Sequence, residues 1–308
     1  MYERFYGLQE RPFDLSPNPR FLCFTPQHRE ALAHLEYGLA GRPGITVIVG
    51  EAGTGKTTLV RKALQAATGE ATVVHLSNPT LTRAEFYEYL AGGFGFGAEA
   101  GRSKIQFLRD VEHQLEDVSK PRLALVVDEA QSVPYELLEE IRLLTNAESK
   151  DGRSIAVALV GQPELGRRLE EVRLRQLKQR VVLRCTLTPL SLKDTAAYIA
   201  GRVKTAGGEA TRLFTRDAVI AIHQRSKGIP RVISVICDNA LVNGFAADQQ
   251  PVGVSLVEEV CRSLALPLGE SDAQTVVTPP ARAMAPPGPI TMSAPLFSNV
   301  GRRRFSFF

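Results

Sequence analysis

No apolar run in this 308-residue sequence approaches the roughly 18 residues needed to cross a bilayer. The N-terminal stretch "MYERFYGLQERPFDL" has none of the ordered basic, apolar and small-residue regions of a secretory signal. A cytoplasmic location is therefore expected. Cysteine is scarce: Cys23, Cys185, Cys237 and Cys261 are scattered, form no C-x-x-C pair, and three of them lie within apolar stretches where a thiol packs as a small hydrophobe. Neither a disulfide framework nor a zinc site is indicated. The five histidines include no H-E-x-x-H, so metal chemistry through them is not expected. Strong charge is also missing. The net charge is +4, and about half of the excess falls after Leu268, where Arg282 and Arg302 to Arg304 outnumber Glu270 and Asp272.

What remains is an ordinary globular composition, 44% apolar and 23% charged. Five β-branched apolar segments, "GITVIVG", "ATVVHLS", "RLALVVDE", "SIAVALVG" and "VVLRCTLTPL", read as strands buried on both faces. Helical patterns separate them, including "TTLVRKALQAAT", "YELLEEIRLLTNAE" and a single long "ELGRRLEEVRLRQLKQR". Such alternation predicts a parallel five-stranded sheet with helices on both faces, an α/β core over residues 44–190. The glycine-rich run Gly92 to Gly101 follows a helical pattern rather than a strand and is expected to be a loop between helices. Residues 191–266 lose the strand signal and predict a four-helix unit. Gly228 and Pro230 punctuate its second-to-third junction, and Ser255 with Glu258 fits a capping box opening its last helix. Residues 1–43 precede the first strand as an entry segment. Residues 267–308, rich in Pro, Ala, Ser and Gly, are expected to form a disordered tail.

The run Gly50, Glu51, Ala52, Gly53, Thr54, Gly55, Lys56, Thr57 satisfies G-x-x-x-x-G-K-[ST] and stands between a strand and a helix. Glycines let the backbone curl so that successive N–H groups face phosphate oxygens, and the helix N-terminus adds a field favourable to anions. Lys56 is then expected to reach the β- and γ-phosphates of ATP, Thr57 to offer its hydroxyl to Mg²⁺, and Thr58 to complete the loop. In "LALVVDEAQ" an apolar strand carries Asp128 to its C-terminal end, as a second Mg²⁺ ligand, with Glu129 placed to orient or deprotonate water. These two acids and the loop point to ATP hydrolysis. Gln162 in "LVGQPEL" is expected near the γ-phosphate, between the first and third strands, or else as a polar residue at a strand-to-helix turn. Arg167, Arg168, Arg173, Arg175, Lys178, Arg180 and Arg184 make a basic segment that reads either as a solvated face or as a subunit or polyanion interface. Within it Arg180, ahead of Arg175 and Arg173, is the candidate for an arginine supplied to a neighbouring subunit's nucleotide, with surface solvation the competing account. Arg231 in "GIPRV" opens a helix of the four-helix unit and could reach back over the nucleotide, or could instead be an ordinary salt-bridged arginine.

The phosphate loop, "VVDEAQ", "LVGQPEL", "RQLKQR" and "GIPR", occurring in this order, resemble the AAA+ ATPases, of the ExeA or general secretion pathway protein A type. The entry segment "FYGLQERPFDLSPNPRFL" is similar to that family's, and the likeness runs from about Phe5 to Leu266. The resemblance implies a P-loop fold with a C-terminal helical lid. It also implies Asp128 and Glu129 as Walker B, Gln162 near sensor 1 and Arg231 as sensor 2. Gln162 departs from the Asn, Ser or Thr of the wider class, and Ser234 stands where the family often has Asn. Secretion-type members often continue into a membrane span and a peptidoglycan-binding domain, whereas a Pro-rich segment follows here. The expected function is an oligomeric ATPase that remodels or positions a partner in secretion, polysaccharide export or envelope assembly. A DNA-binding transposition-type ATPase and a nucleotide-gated scaffold are the alternatives.

Overall fold

The computed structural model describes residues 1–16, 18–21, 25–40 and 44–266, all within one compact unit, Met1–Gly269. Cys23 and the Pro-rich segment expected to be disordered lie outside the described residues. The five strands are β1 (Ile45–Gly50), β2 (Ala71–Leu76), β3 (Arg122–Val127), β4 (Ala156–Gly161) and β5 (Val181–Leu187). They form one parallel sheet in the order β2-β3-β4-β1-β5. The three inner strands are apolar on both faces. The two outer strands are not: β5 alternates, with Val182 and Arg184 exposed, and β2 is only half covered. The expectation of five fully buried strands therefore fails at the edges, where one side of the strand has no neighbour to cover it.

Helices α1 (Tyr2–Phe5) and α2 (Pro26–Leu39) precede β1, and α3 (Lys56–Ala66) follows it. Next come α4 (Arg83–Phe94), α5 (Ala98–Arg102), α6 (Lys104–Glu116), α7 (Tyr135–Leu144), α8 (Pro163–Leu169) and α9 (Arg175–Gln179). The period of two along β1 sends Ile45, Val47 and Val49 to one face, against Phe86, Phe107 and Ile141, while Ile48 packs under α2 and α3 against Leu35 and Leu59 on the other. The sequence "ELGRRLEEVRLRQLKQR" is not one helix. Leu165 and Leu169 share a helical face, but Leu174 and Leu177 fall out of phase with them. A 3₁₀ turn at Val172–Leu174 resets the rotation so that all four leucines stay buried. The glycine-rich run differs too: α4 continues through Gly92 and Gly93, the second of which faces Val74 of β2, and ends on Gly95 in the left-handed region.

The C-terminal helices are α10 (Leu192–Thr205), the short α11 (Ala210–Leu213), α12 (Arg216–Ser226), α13 (Pro230–Ala246) and α14 (Val254–Ser263). Gly228 and Pro230 do mark the junction of α12 with α13. No capping box opens α14. Its cap is Gly253, Ser255 lies inside the first turn, and Glu258 pairs with Arg225 instead. The core of this unit includes residues far away in sequence: Tyr2, Tyr6, Leu8, Phe13 and Phe21 pack among Ile222, Ile236 and Val257. Tyr2 also donates to Asp238 at 2.5 Å, and Gln9 N–H donates to the Ala206 carbonyl. The entry segment is thus divided, its first part completing the helical unit and α2 lying on the sheet.

Candidate nucleotide site

Registers along the sheet fix which groups meet. Val127 pairs with Leu159 and Val49 with Gly161, so Asp128, Gln162 and the loop after Gly50 leave adjacent strands at one edge. That is the C-terminal edge, where open α/β sheets collect ligands. The loop curls through Gly53 (φ +83°) and Gly55 (φ +97°), a region costly for any residue with a Cβ, and α3 begins at Lys56. Lys56 is buried, yet forms no ion pair among the described residues. Its Nζ donates to the Gly50 carbonyl at 2.8 Å and the Glu51 carbonyl at 3.0 Å. Burial pushes its pKa down, against the attraction of Glu129 and Asp128. Thr57 Oγ1 donates to Asp128 Oδ2 at 2.8 Å, bringing the loop and the acid of β3 into contact.

Glu129 follows with φ +51°, a left-handed backbone uncommon for a residue with a side chain. Its Oε2 accepts from Gln131 Nε2 at 2.6 Å and from Gln162 Nε2 at 3.2 Å. Gln131 in turn accepts from Gln162 N–H at 3.0 Å, so the two amides clamp one carboxylate oxygen. The hydrogen bond from Gln131, assisted by Gln162 and the charge of Lys56, holds the Glu129 carboxyl below the usual range. Gln162 stands as expected between β1 and β3, but its amide engages Glu129. Gln131 escaped the sequence reading, although it adjoins the acid pair in "DEAQ".

Lysine, threonines and acid line a cleft of about 420 Å³, within the usual range of ligand pockets. Its other wall comes from residues the sequence reading left aside. His28 on α2 places Nε2 2.9 Å from the Thr54 carbonyl and Nδ1 2.6 Å from Thr25 Oγ1. A carbonyl only accepts, so Nε2 carries the proton and the hydroxyl donates to Nδ1. Burial pushes the His28 pKa down, which keeps the ring neutral. Arg202 on α10 is 8% exposed and donates to Tyr198 Oη, to Ser234 Oγ at 2.9 Å and to the Asp14 carbonyl at 3.2 Å. Ser234, unexplained from sequence, is thus a member of this polar cluster. An arginine and a tyrosine four residues apart on an otherwise apolar helical face were the available signal.

Arg231 also lines the cleft, and its backbone N–H donates to the Gly53 carbonyl at 3.1 Å, tying α13 directly to the phosphate loop. Arg180 does not join the site. Its carbonyl accepts from Ile45 N–H at the start of β1, the length of a strand, about 17 Å, from Gly50. Its guanidinium donates to Asn146. The rest of the basic segment is largely paired within the chain: Arg167 with Glu164, Arg173 with Glu171, and Lys178 and Arg184 with Glu170. Arg168 donates to the Gln131 and Val133 carbonyls beneath the ring of Tyr135.

An AAA domain is matched over residues 40–169. The chain is 41% identical over 249 residues to general secretion pathway protein A of Aeromonas hydrophila, a match covering 80% of this chain and 45% of that protein. The chain belongs to the AAA+ family, in the type of secretion pathway protein A. This AAA+ chain spans less than half the length of that relative. Its fold also matches the ORC2 protein of Aeropyrum pernix, solved with ADPNP and ADP, at a TM-score of 0.62 and 17% identity over 88% of this chain and 75% of the other. Cdc6p of Pyrobaculum aerophilum gives 0.64 and 17% over 87% and 74%. At such identity these likenesses concern the AAA+ fold alone. Among the described residues no helix is long and apolar enough to cross a membrane.

Proposed function

We propose that this AAA+ chain binds ATP with Mg²⁺ in the cleft and hydrolyses it. In this reading it assembles with copies of itself and uses the cycle to remodel or position a secretion or envelope partner on the cytoplasmic side. The observation that carries the reading is the hydrogen bond of Thr57 to Asp128 beside a buried Lys56 that forms no ion pair among the described residues. A hydroxyl and a carboxylate side by side are an oxygen pair suited to Mg²⁺, which keeps much of its water. Thr57 and Asp128 would hold the ion, whose charge when bound would offset the negative charge of the phosphates. Lys56 spends two of its three N–H groups on the loop's own carbonyls and keeps one for a phosphate oxygen. Glu129 stays ionised. With Oε2 held by two amides, Oε1 is the oxygen that orients the attacking water and takes up its proton.

The tie between Arg231 and Gly53 supports coupling of the phosphate loop to the helical unit, so that a change in the loop turns the lid. Arg180, exposed at the opposite edge of its own sheet, would serve the nucleotide of a neighbour. The test is a pair of variants. Lys56→Ala should lose ATP binding, whereas Glu129→Gln should bind ATP and fail to turn it over. Full binding by Lys56→Ala, or normal turnover by Glu129→Gln, would refute the assignment. Assembly only on duplex DNA, weakening steeply with salt, would replace the secretion reading by a nucleic-acid one.

A further inference from the structure

Away from the nucleotide cleft, α2 and β5 bring together three donors of different chemistry. Glu30 and His34 are four residues apart on α2 and share one side of it, and Cys185 lies on β5, against which α2 packs. A Glu30 carboxylate oxygen, a His34 ring nitrogen and the Cys185 sulfur all fall within 4.8 Å of one another. The sulfur is buried in the layer under α2, and its hydrogen bond to the Gln27 carbonyl is long, at 3.9 Å. His34 Nδ1 is buried with no hydrogen-bond partner among the described residues. A buried polar atom without a partner is unfavourable, and a cation held through this nitrogen would supply one.

We propose that Glu30, His34 and Cys185 form a three-ligand site for a divalent cation of the zinc class. A thiolate with an imidazole and one carboxylate selects a borderline-soft ion in preference to Mg²⁺ or Ca²⁺, which take oxygen shells. Around such an ion the ligand atoms sit roughly 3.3–3.8 Å apart, so modest side-chain rotations close the present arrangement into a tetrahedron whose fourth corner is solvent. On binding, the sulfur–metal bond replaces the S–H bond, and the proton leaves to water. The ion would clasp α2 to the edge strand. That helix also carries His28 to the Thr54 carbonyl, and its Gln27 side chain accepts from Thr188 just beyond β5. The clasp would therefore steady one wall of the nucleotide cleft while lying outside it.

The experiment is a Co²⁺ titration of the full metal-free chain, followed by Zn²⁺ competition against a chromophoric chelator. One equivalent of Co²⁺ should give a thiolate charge-transfer band and the intense visible bands of a tetrahedral centre, both erased by Zn²⁺. Cys185→Ser should lose the charge-transfer band, while Cys237→Ser and Cys261→Ser keep it. Glu30→Gln, at the exposed rim and harmless to packing, should fold, bind ATP normally and weaken Zn²⁺ binding by about 10-fold or more. The proposal is overturned if no thiolate band appears, if the band survives in Cys185→Ser, or if Glu30→Gln binds Zn²⁺ as tightly as the parent chain.

Discussion

Replacing Gly53 by alanine tests the contact between the helical unit and the phosphate loop directly. A methyl group there would lie 2.7 Å from Arg231 Cβ and 3.1 Å from Ile229 Cγ2, neither of them the free end of a flexible side chain. At φ +83° the backbone itself adds about 1–2 kcal/mol once a Cβ is present. Overpacking of this severity costs roughly a further 1–3 kcal/mol unless the helical unit moves away. Gly69 supplies the control. It has φ +90° and nothing within 4 Å, so Gly69→Ala incurs only the backbone cost. Denaturant unfolding of the nucleotide-free chain should therefore place Gly53→Ala about 1–3 kcal/mol below Gly69→Ala. The deficit should shrink when Arg231→Gly is added, because that change removes the Cβ in the way. Equal stabilities for the two alanine variants, or no coupling between positions 53 and 231, would refute a helical unit seated on the loop.

Acidification should destabilise the chain. The unfolded His28 takes up its proton near 6.5, while the buried native ring resists it, so the unfolded state binds more protons and stability falls as pH drops through that range. His75 and His223, also lowered by burial, add to the same slope, and His28→Gln should flatten part of it in urea melts at stepped pH. Arg180→Ala should bind ATP normally yet hydrolyse poorly by itself. Mixed with Lys56→Ala, whose Arg180 is intact, it should regain part of its turnover, whereas full activity of Arg180→Ala alone would dismiss the residue. Phe13→Ala empties a fully buried position where the entry segment meets Phe214, and should cost about 3–5 kcal/mol, read in thermal or urea unfolding.

Much of this was visible in the residues because the signals were local. A strand, a glycine turn and Lys56 at the mouth of a helix occupy twelve consecutive positions, and "VVDE" carries its own strand. The far wall of the cleft had no such signature. His28, Asp14 and Arg202 are brought there by packing between segments nearly two hundred residues apart, and no period or spacing encodes that distance. The broken helix after β4 escaped for a related reason: its leucines were apolar enough for one helix, and only the sheet beneath decided which of them had to share a face. Arg180 was read correctly as lying just ahead of β5, but the end of the sheet to which it belongs depends on register.

Because Tyr2, Tyr6, Leu8, Phe13 and Phe21 pack in the helical unit, α2 and Leu187 pack on the sheet, and Leu190 is back in the helical unit, the two layers are linked through the chain both ahead of α2 and after β5. A body joined by one thread can swivel in any direction. Joined by two, a layer that moved would swing about the line through both threads, as a door does, along one repeatable arc.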